Sequence, residues 1–160
     1  MDNLKFERLI RRINVYPPFL GMGIKMTSFS ENFTRFDVEL RARWYNRNLF
    51  GTHFGGSLYA MSDPFFVFIV TLNFGREYIV WDKSACIDFL RPARGLIRGR
   101  FEIAPSHLAK MRAEVDQHGK RTFEFETDLL DEDDVAVARV HKHVYVRRKE
   151  RSKVAEAKES

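Results

Sequence analysis

The chain has 160 residues, 44% of them apolar, with fifteen phenylalanines and a formal charge of +5. This suits one domain with a real core and argues against whole-chain disorder. The single cysteine, Cys86, excludes an intrachain disulfide and a CxxC zinc site.

The basic balance, with a sequence pI of about 9.5, favours an anionic partner: nucleic acid, a membrane surface or a phosphorylated small molecule. Part of that basicity sits in the C-terminal segment. Lys5, Glu7, Arg8, Arg11 and Arg12 interrupt any signal-peptide core, and the apolar run Pro64–Leu72 is too short to span a bilayer. These features, with the lone cysteine, lead us to expect a cytoplasmic protein with no membrane span.

In chain order, Asn3–Asn14 has a helical rhythm of apolar and basic residues that Pro17-Pro18 should end. A basic amphipathic helix can lie on a membrane, but so short a one is expected to be a lid on its own domain. Gly21–Ser30 reads as a first, irregular strand. Phe33–Tyr45 alternates clearly: Phe36, Val38, Leu40, Ala42 and Trp44 against Arg35, Asp37, Glu39, Arg41 and Arg43. That period of two marks a half-buried antiparallel strand.

Gly55–Phe74 reads as a long helix, apolar nearly all round and therefore buried, with Gly75 as its C-cap. Pro64 interrupts it. Either the helix kinks, or a second helix starts with Asp63 as N-cap and Pro64 at N1. Then come strands Tyr78–Leu90 and Gly95–Ala104, a short helix His107–Val115, strand Arg121–Leu130, an acidic turn Asp131–Asp134 and strand Val135–Val146. Residues 1–149 are expected to form one domain with an N-terminal helix. Residues 150–160 are expected to be a charged, disordered tail, with fraying from Arg147.

Chemistry concentrates in Asn46–Pro64, N-R-N-L-F-G-T-H-F-G-G-S-L-Y-A-M-S-D-P. A helix start has N–H groups without intrahelical partners, and its dipole favours negative charge. Gly55 and Gly56 therefore suit an oxyanion, and Asp63, eight residues after Gly55, is an acid able to activate water. From the residues alone the glycines fit a tight turn equally well. Asp63 also fits a cap, Asn48 a turn, and His53 a packed, hydrogen-bonded side chain. Asp82 fits an ion pair with Lys83, Arg76 or a partner subunit. Arg91 and Arg94 fit solvated turn residues, Cys86 a core residue, and His141 with His143 exposed polar surface.

The order of elements, N-x-x-G-T-x-x-G-G before an apolar helix bearing Asp63, and F-L-R-P-A-R-G ending the next strand resemble the hot-dog-fold acyl-CoA thioesterases. More narrowly, G-T-H-F-G-G-S-L-Y-A-M-S-D-P, Y-I-V-W-D-K and V-Y-V-R-R-K resemble a little-characterised branch, a domain of unknown function. The resemblance covers about Asn14–Lys149. It implies an α+β hot-dog fold, a curved antiparallel sheet around a long central helix, assembled as a homodimer or tetramer.

It also implies hydrolysis of an acyl-CoA or other acyl thioester, with no cofactor and no metal. By position, Gly55 would donate to the oxyanion, Asp63 from the other subunit would be base or nucleophile, and Asn48 would orient substrate or water. Asp82 aligns with a water-orienting serine of some relatives. Arg91 and Arg94 fall near the CoA phosphates, with Gly56 beside them. The usual histidine directly before the glycines is replaced by Phe54, with His53 one place earlier. A hot-dog dehydratase using His53 and a non-catalytic acyl-CoA-binding module are the alternatives. Nucleic-acid binding is not expected, because acids intersperse the basic residues and no aromatic stacking platform is present.

Overall fold

The run F-F-V-F-I-V-T-L-N-F, Phe65–Phe74, has no polar face to offer water, so it must be covered on nearly every side. The computed structural model, which describes residues 3–149, supplies that cover. Its helices are α1 (Asn3–Arg11), α2 (Pro17–Met22), α3 (Gly55–Ser62), α4 (Phe65–Phe74) and α5 (Pro105–His118). Its strands are β1 (Ile24–Phe29), β2 (Arg35–Arg41), β3 (Tyr78–Phe89), β4 (Leu96–Glu102), β5 (Lys120–Leu130) and β6 (Ala136–Arg148). They form one six-stranded sheet in the order β1-β2-β4-β5-β6-β3, with every pairing antiparallel.

The sheet curls around α3 and α4, and the phenylalanines fill the space between. Phe65 stacks on Phe101 at 5.0 Å between ring centres and meets Phe36 at 5.6 Å. Phe66 stacks on Phe125 at 4.9 Å. Strands β4 and β5 pair only at Arg98–Leu130 and Gly99–Leu129, so the sheet splays there. Helix α5 connects these strands and packs against β5 and α4, burying Leu108, Met111 and Val115. Its Arg112 donates to the carbonyls of Asn73 and Phe74, capping α4, and lies over the rings of Phe74 and Tyr78. Gly75 ends α4 with φ +80°, a conformation that favours glycine.

The N-terminal helix is a lid on its own domain, as expected. Phe6, Ile10 and Ile13 are buried, and Phe6 meets Phe68 of α4 edge-on at 5.3 Å. Pro17-Pro18 does more than stop this helix. It opens α2, where the missing proline N–H costs nothing because first-turn donors have no partner inside a helix. The segment Gly55–Phe74 is, by length and composition, apolar enough to cross a membrane, and half of it is buried inside this fold.

Four expectations need correction. The β2 alternation stops at Arg41 rather than Tyr45. Asn46 accepts from Arg43 N at 2.7 Å and donates to the carbonyls of Met22 and Arg41, which turns the chain away. Trp44, expected on the core face, is therefore 89% exposed. Cys86, expected in the core, is exposed, because it pairs with His141 on the outer face of the sheet. Fraying from Arg147 does not occur, since Arg147 and Arg148 pair with Ile79 and Tyr78. The expected disordered tail, 150–160, lies outside the described residues.

At Pro64 the helix ends and restarts. Asp63 closes α3, its N–H reaching Ala60 O at 3.3 Å. Pro64 stands at the cap position of α4 and its carbonyl accepts from Phe68 N at 2.9 Å. The expected second helix is thus present, but it begins one residue later than a Pro64 at N1 would give. The Asp63 side chain caps nothing.

Phe65 is completely buried against four other rings. Phe65→Ala is expected to lower unfolding free energy by about 3–5 kcal/mol, read from the denaturant midpoint. A loss below about 1 kcal/mol would contradict this packing.

Candidate active site

The loop before α3 is organised by Asn48. Its Oδ1 accepts from Phe50 N at 2.9 Å and Thr52 N at 3.1 Å. Its Nδ2 donates to Thr52 Oγ1 at 2.8 Å and His53 O at 3.3 Å. Gly51, at φ +73°, lets the loop turn. Asn48 therefore spends its amide on the loop, while still lining the cleft described below.

His53 staples this loop to the β3–β4 connection. Its N–H donates to Ala93 O at 2.9 Å, and its Nε2 lies 3.0 Å from Gly95 O. A carbonyl only accepts, so Nε2 carries the proton and Nδ1 is left as an acceptor. Nδ1 is buried and has no partner among the described residues. Burial holds the imidazole below the usual histidine pKa. The Gly95 bond opposes that shift and the Arg47 charge adds to it.

Phe54 is extended, and Gly55 opens α3 with no side-chain cap. The N–H groups of Gly55 and Gly56 have no acceptor among the described residues. Exposed phenyl rings flank both glycines. A Cβ on Gly55 would lie 3.0 Å from the Phe89 ring, and one on Gly56 would lie 2.3 Å from the Phe54 ring. Beside Gly55 is an open cleft of about 600 Å³, lined by Asn48, His53, Gly55, Leu58, Phe89, Leu90, Arg91 and Arg94 among others. Arg94 reaches Gly51 O at 3.4 Å, and both arginines are exposed. Gly56 is not part of the lining.

Asp63 is not at this cleft in its own chain. It lies at the other end of α3, ~12 Å along the axis from Gly55 for eight residues of helical rise. There it meets two groups from the sheet. Lys142 Nζ lies 3.3 Å from Asp63 Oδ1 and 2.8 Å from Asp82 Oδ2. Lys142 is 1% exposed and Asp63 54%. Asp82 is part-buried, and its Oδ1 has no partner among the described residues. Burial raises the Asp82 pKa. The Lys142 hydrogen bond and charge oppose this, and the Asp63 charge adds to the rise.

A bulge brings Asp82 to this spot. The β3–β6 register shifts between Asp82 and Ser84, so that Asp82 opposes Val144 while Ser84 opposes His143. Residues 82 and 84 therefore sit on opposite faces, although their spacing alone puts them on one. Bulges re-aim side chains in this way and are common beside active sites. Lys142 itself was missed by sequence reasoning. A signal was present: Val140, Lys142 and Val144 share the apolar parity of β6, and a lysine on that face needs a buried partner.

The expected partners of Asp82 included Lys83, Arg76 and a partner subunit; Lys142, which was not among them, bonds to it. His141 and His143 lie on the outer face, as expected, paired with Asp88, Glu126 and Glu124.

The model of a domain of unknown function, DUF4442, matches residues 6–146 of this chain. No curated protein matches it. Solved structures do. A Pseudomonas aeruginosa protein of unknown function, PA5026, described as a probable thioesterase, superposes with TM-score 0.73 at 19% identity, over 80% of this chain and 85% of that one. The Haemophilus influenzae thioesterase HI1161 does so at 0.64 and 13%, over 90% and 92%. The Escherichia coli PaaI protein of the phenylacetic acid degradation operon does so at 0.57 and 15%, over 84% and 85%. At these identities the likeness carries the architecture alone. With a six-stranded antiparallel sheet wrapped around its apolar helices and a family match along nearly its whole length, this chain belongs to the DUF4442 family and has the hot-dog fold.

Proposed function

We propose that the protein hydrolyses acyl thioesters, releasing a carboxylic acid and a thiol carrier such as CoA. The observation that carries this reading is the start of α3, where the Gly55 N–H has no acceptor among the described residues and Gly55 forms part of the cleft wall. A thioester carbonyl under attack becomes tetrahedral and negative. A fixed N–H at the positive end of a helix suits that charge. Leu58, Phe89 and Leu90 give the cleft an apolar side for an acyl chain. Arg91 and Arg94 suit a phosphorylated carrier.

Asp63 is the acid in this reading, activating water or attacking the carbonyl through an anhydride. It is too far from Gly55 of its own chain, so the site requires two copies. Strand β3 is at the sheet edge, with unpaired backbone groups facing outward. A two-fold antiparallel pairing along β3 sets the Asp82 end of one copy against the Phe89 end of the other. Asp63 shares Lys142 with Asp82 in the first half of β3, and Gly55 lies against Phe89 at its last residue. The homodimer so formed has two equivalent sites. Asn48 and His53 hold the loop that presents Gly55.

Two substitutions test the roles, with thiol release from a panel of acyl-CoAs as the assay. Asp63→Asn is expected to lower kcat by about 10²–10⁴ without unfolding the protein. Hydrolysis close to the unsubstituted rate would remove Asp63 from the chemistry. Gly55→Pro deletes the N–H while suiting the first helical position and the extended Phe54 before it. It is expected to cost about 10²–10³ in kcat. A folded Gly55→Pro protein with unaltered kcat would refute the oxyanion role. Loss of water from a 3-hydroxyacyl thioester without thiol release would favour a dehydratase instead.

A further inference from the structure

We propose that Lys142 is a positioning residue for Asp63: its buried ammonium, anchored by Asp82, fixes the place of the Asp63 carboxylate. The proposal rests on the hydrolase reading for its catalytic consequence. It also gives Asp82 a different task from orienting water, since Asp82 acts through Lys142.

The geometry carries this. Lys142 is 1% exposed, and its Nζ bridges Asp82 at 2.8 Å and Asp63 at 3.3 Å. It lies between Val140 and Val144, both fully buried, on the core face of β6. An apolar side chain would fill that place without a desolvation cost, and buried ion clusters are often no more stable than the apolar residues that can replace them. Stability alone therefore gives no reason for a lysine here. The ammonium sits where α3 breaks from α4, under the one carboxylate of that break, and a β-bulge brings its second partner to it.

The charged groups bonded to this centre are Lys142 from β6, Asp63 from the helix break and Asp82 from β3. Tyr59 is the one titratable side chain within α3, and α4 has none. Two carboxylates around one ammonium leave a net negative charge. Without the ammonium, two like charges share the site and repel each other.

The test compares Lys142→Met, Lys142→Arg and Asp82→Asn in the full chain. The readouts are the side-chain rotamer of Asp63, from its scalar couplings by NMR, and the separate values of kcat and KM for acyl-CoA hydrolysis. In Lys142→Met the Asp63 side chain is expected to average over rotamers and kcat to fall by about 10²-fold, while KM changes little. Lys142→Arg is expected to restore both towards the unsubstituted values. Asp82→Asn, which removes the anchor of the ammonium, is expected to move both in the same direction by less.

Lys142→Gln, which keeps an N–H donor but no charge, gives the same reading where Lys142→Met does not fold. A folded neutral variant with an unmoved Asp63 rotamer and kcat would overturn the proposal, as would an unmoved rotamer in Asp82→Asn. If the unsubstituted protein releases no thiol, the hydrolase reading fails, and the Asp63 rotamer still decides the role of Lys142.

Discussion

A lysine ammonium withdrawn from water costs several kcal/mol unless carboxylates meet it. Lys142 is buried among valines of β6, and both of its carboxylates come from departures from regular structure. Asp82 is brought to it by a bulge in β3. Asp63 is brought by the interruption of a helix at a residue that has no N–H to continue it. Bulge, helix break and buried charge thus support one another. An unbroken helix or an unbulged strand would leave the ammonium without one of its two partners.

The same helix sets the geometry of the rest. Its first turn offers the N–H groups of Gly55 and Gly56, without acceptors among the described residues, beside an open cleft, and its C-cap is the acid two turns further on. Both ends are held: the start by the β3–β4 connection, through the His53 contacts to Ala93 and Gly95, and the end by the sheet, through Lys142. A stiff spacer keeps the donor and the acid of one chain apart, so chemistry that needs both must join unlike ends of two molecules. The exposed edge of β3, which passes from one end to the other, is the surface that suits such a join.

Much of this architecture is legible in the residues, because the signals are local and periodic. Phe36, Val38 and Leu40 alternate with charge, and all three are buried in β2. The run after Pro64 is apolar nearly all round and lies in the core. The N-terminal helix reads as a lid and packs as one. What the residues hide is long-range. The strand fails to reach Trp44 because Asn46 bonds to Met22, twenty-four residues earlier. Cys86 faces outward because the register of β3 on β6 is not written in β3 alone. Asp82 changes face through a bulge that no composition marks. The Asp63–Lys142 contact joins residues seventy-nine apart, and only the parity of Lys142 among its neighbouring valines hints at it.

The central claim is that Gly55 of one chain and Asp63 of another serve the same carbonyl carbon. Subunit complementation tests it most directly. Asp63→Asn and Gly55→Pro chains, each inactive alone, are unfolded together, refolded as a mixture and assayed for thiol release. A site shared between subunits leaves one intact copy in every mixed dimer, which predicts recovery of about a quarter of the unsubstituted activity under statistical pairing. If mixed dimers form and the mixture stays as inactive as either variant, the shared site is contradicted.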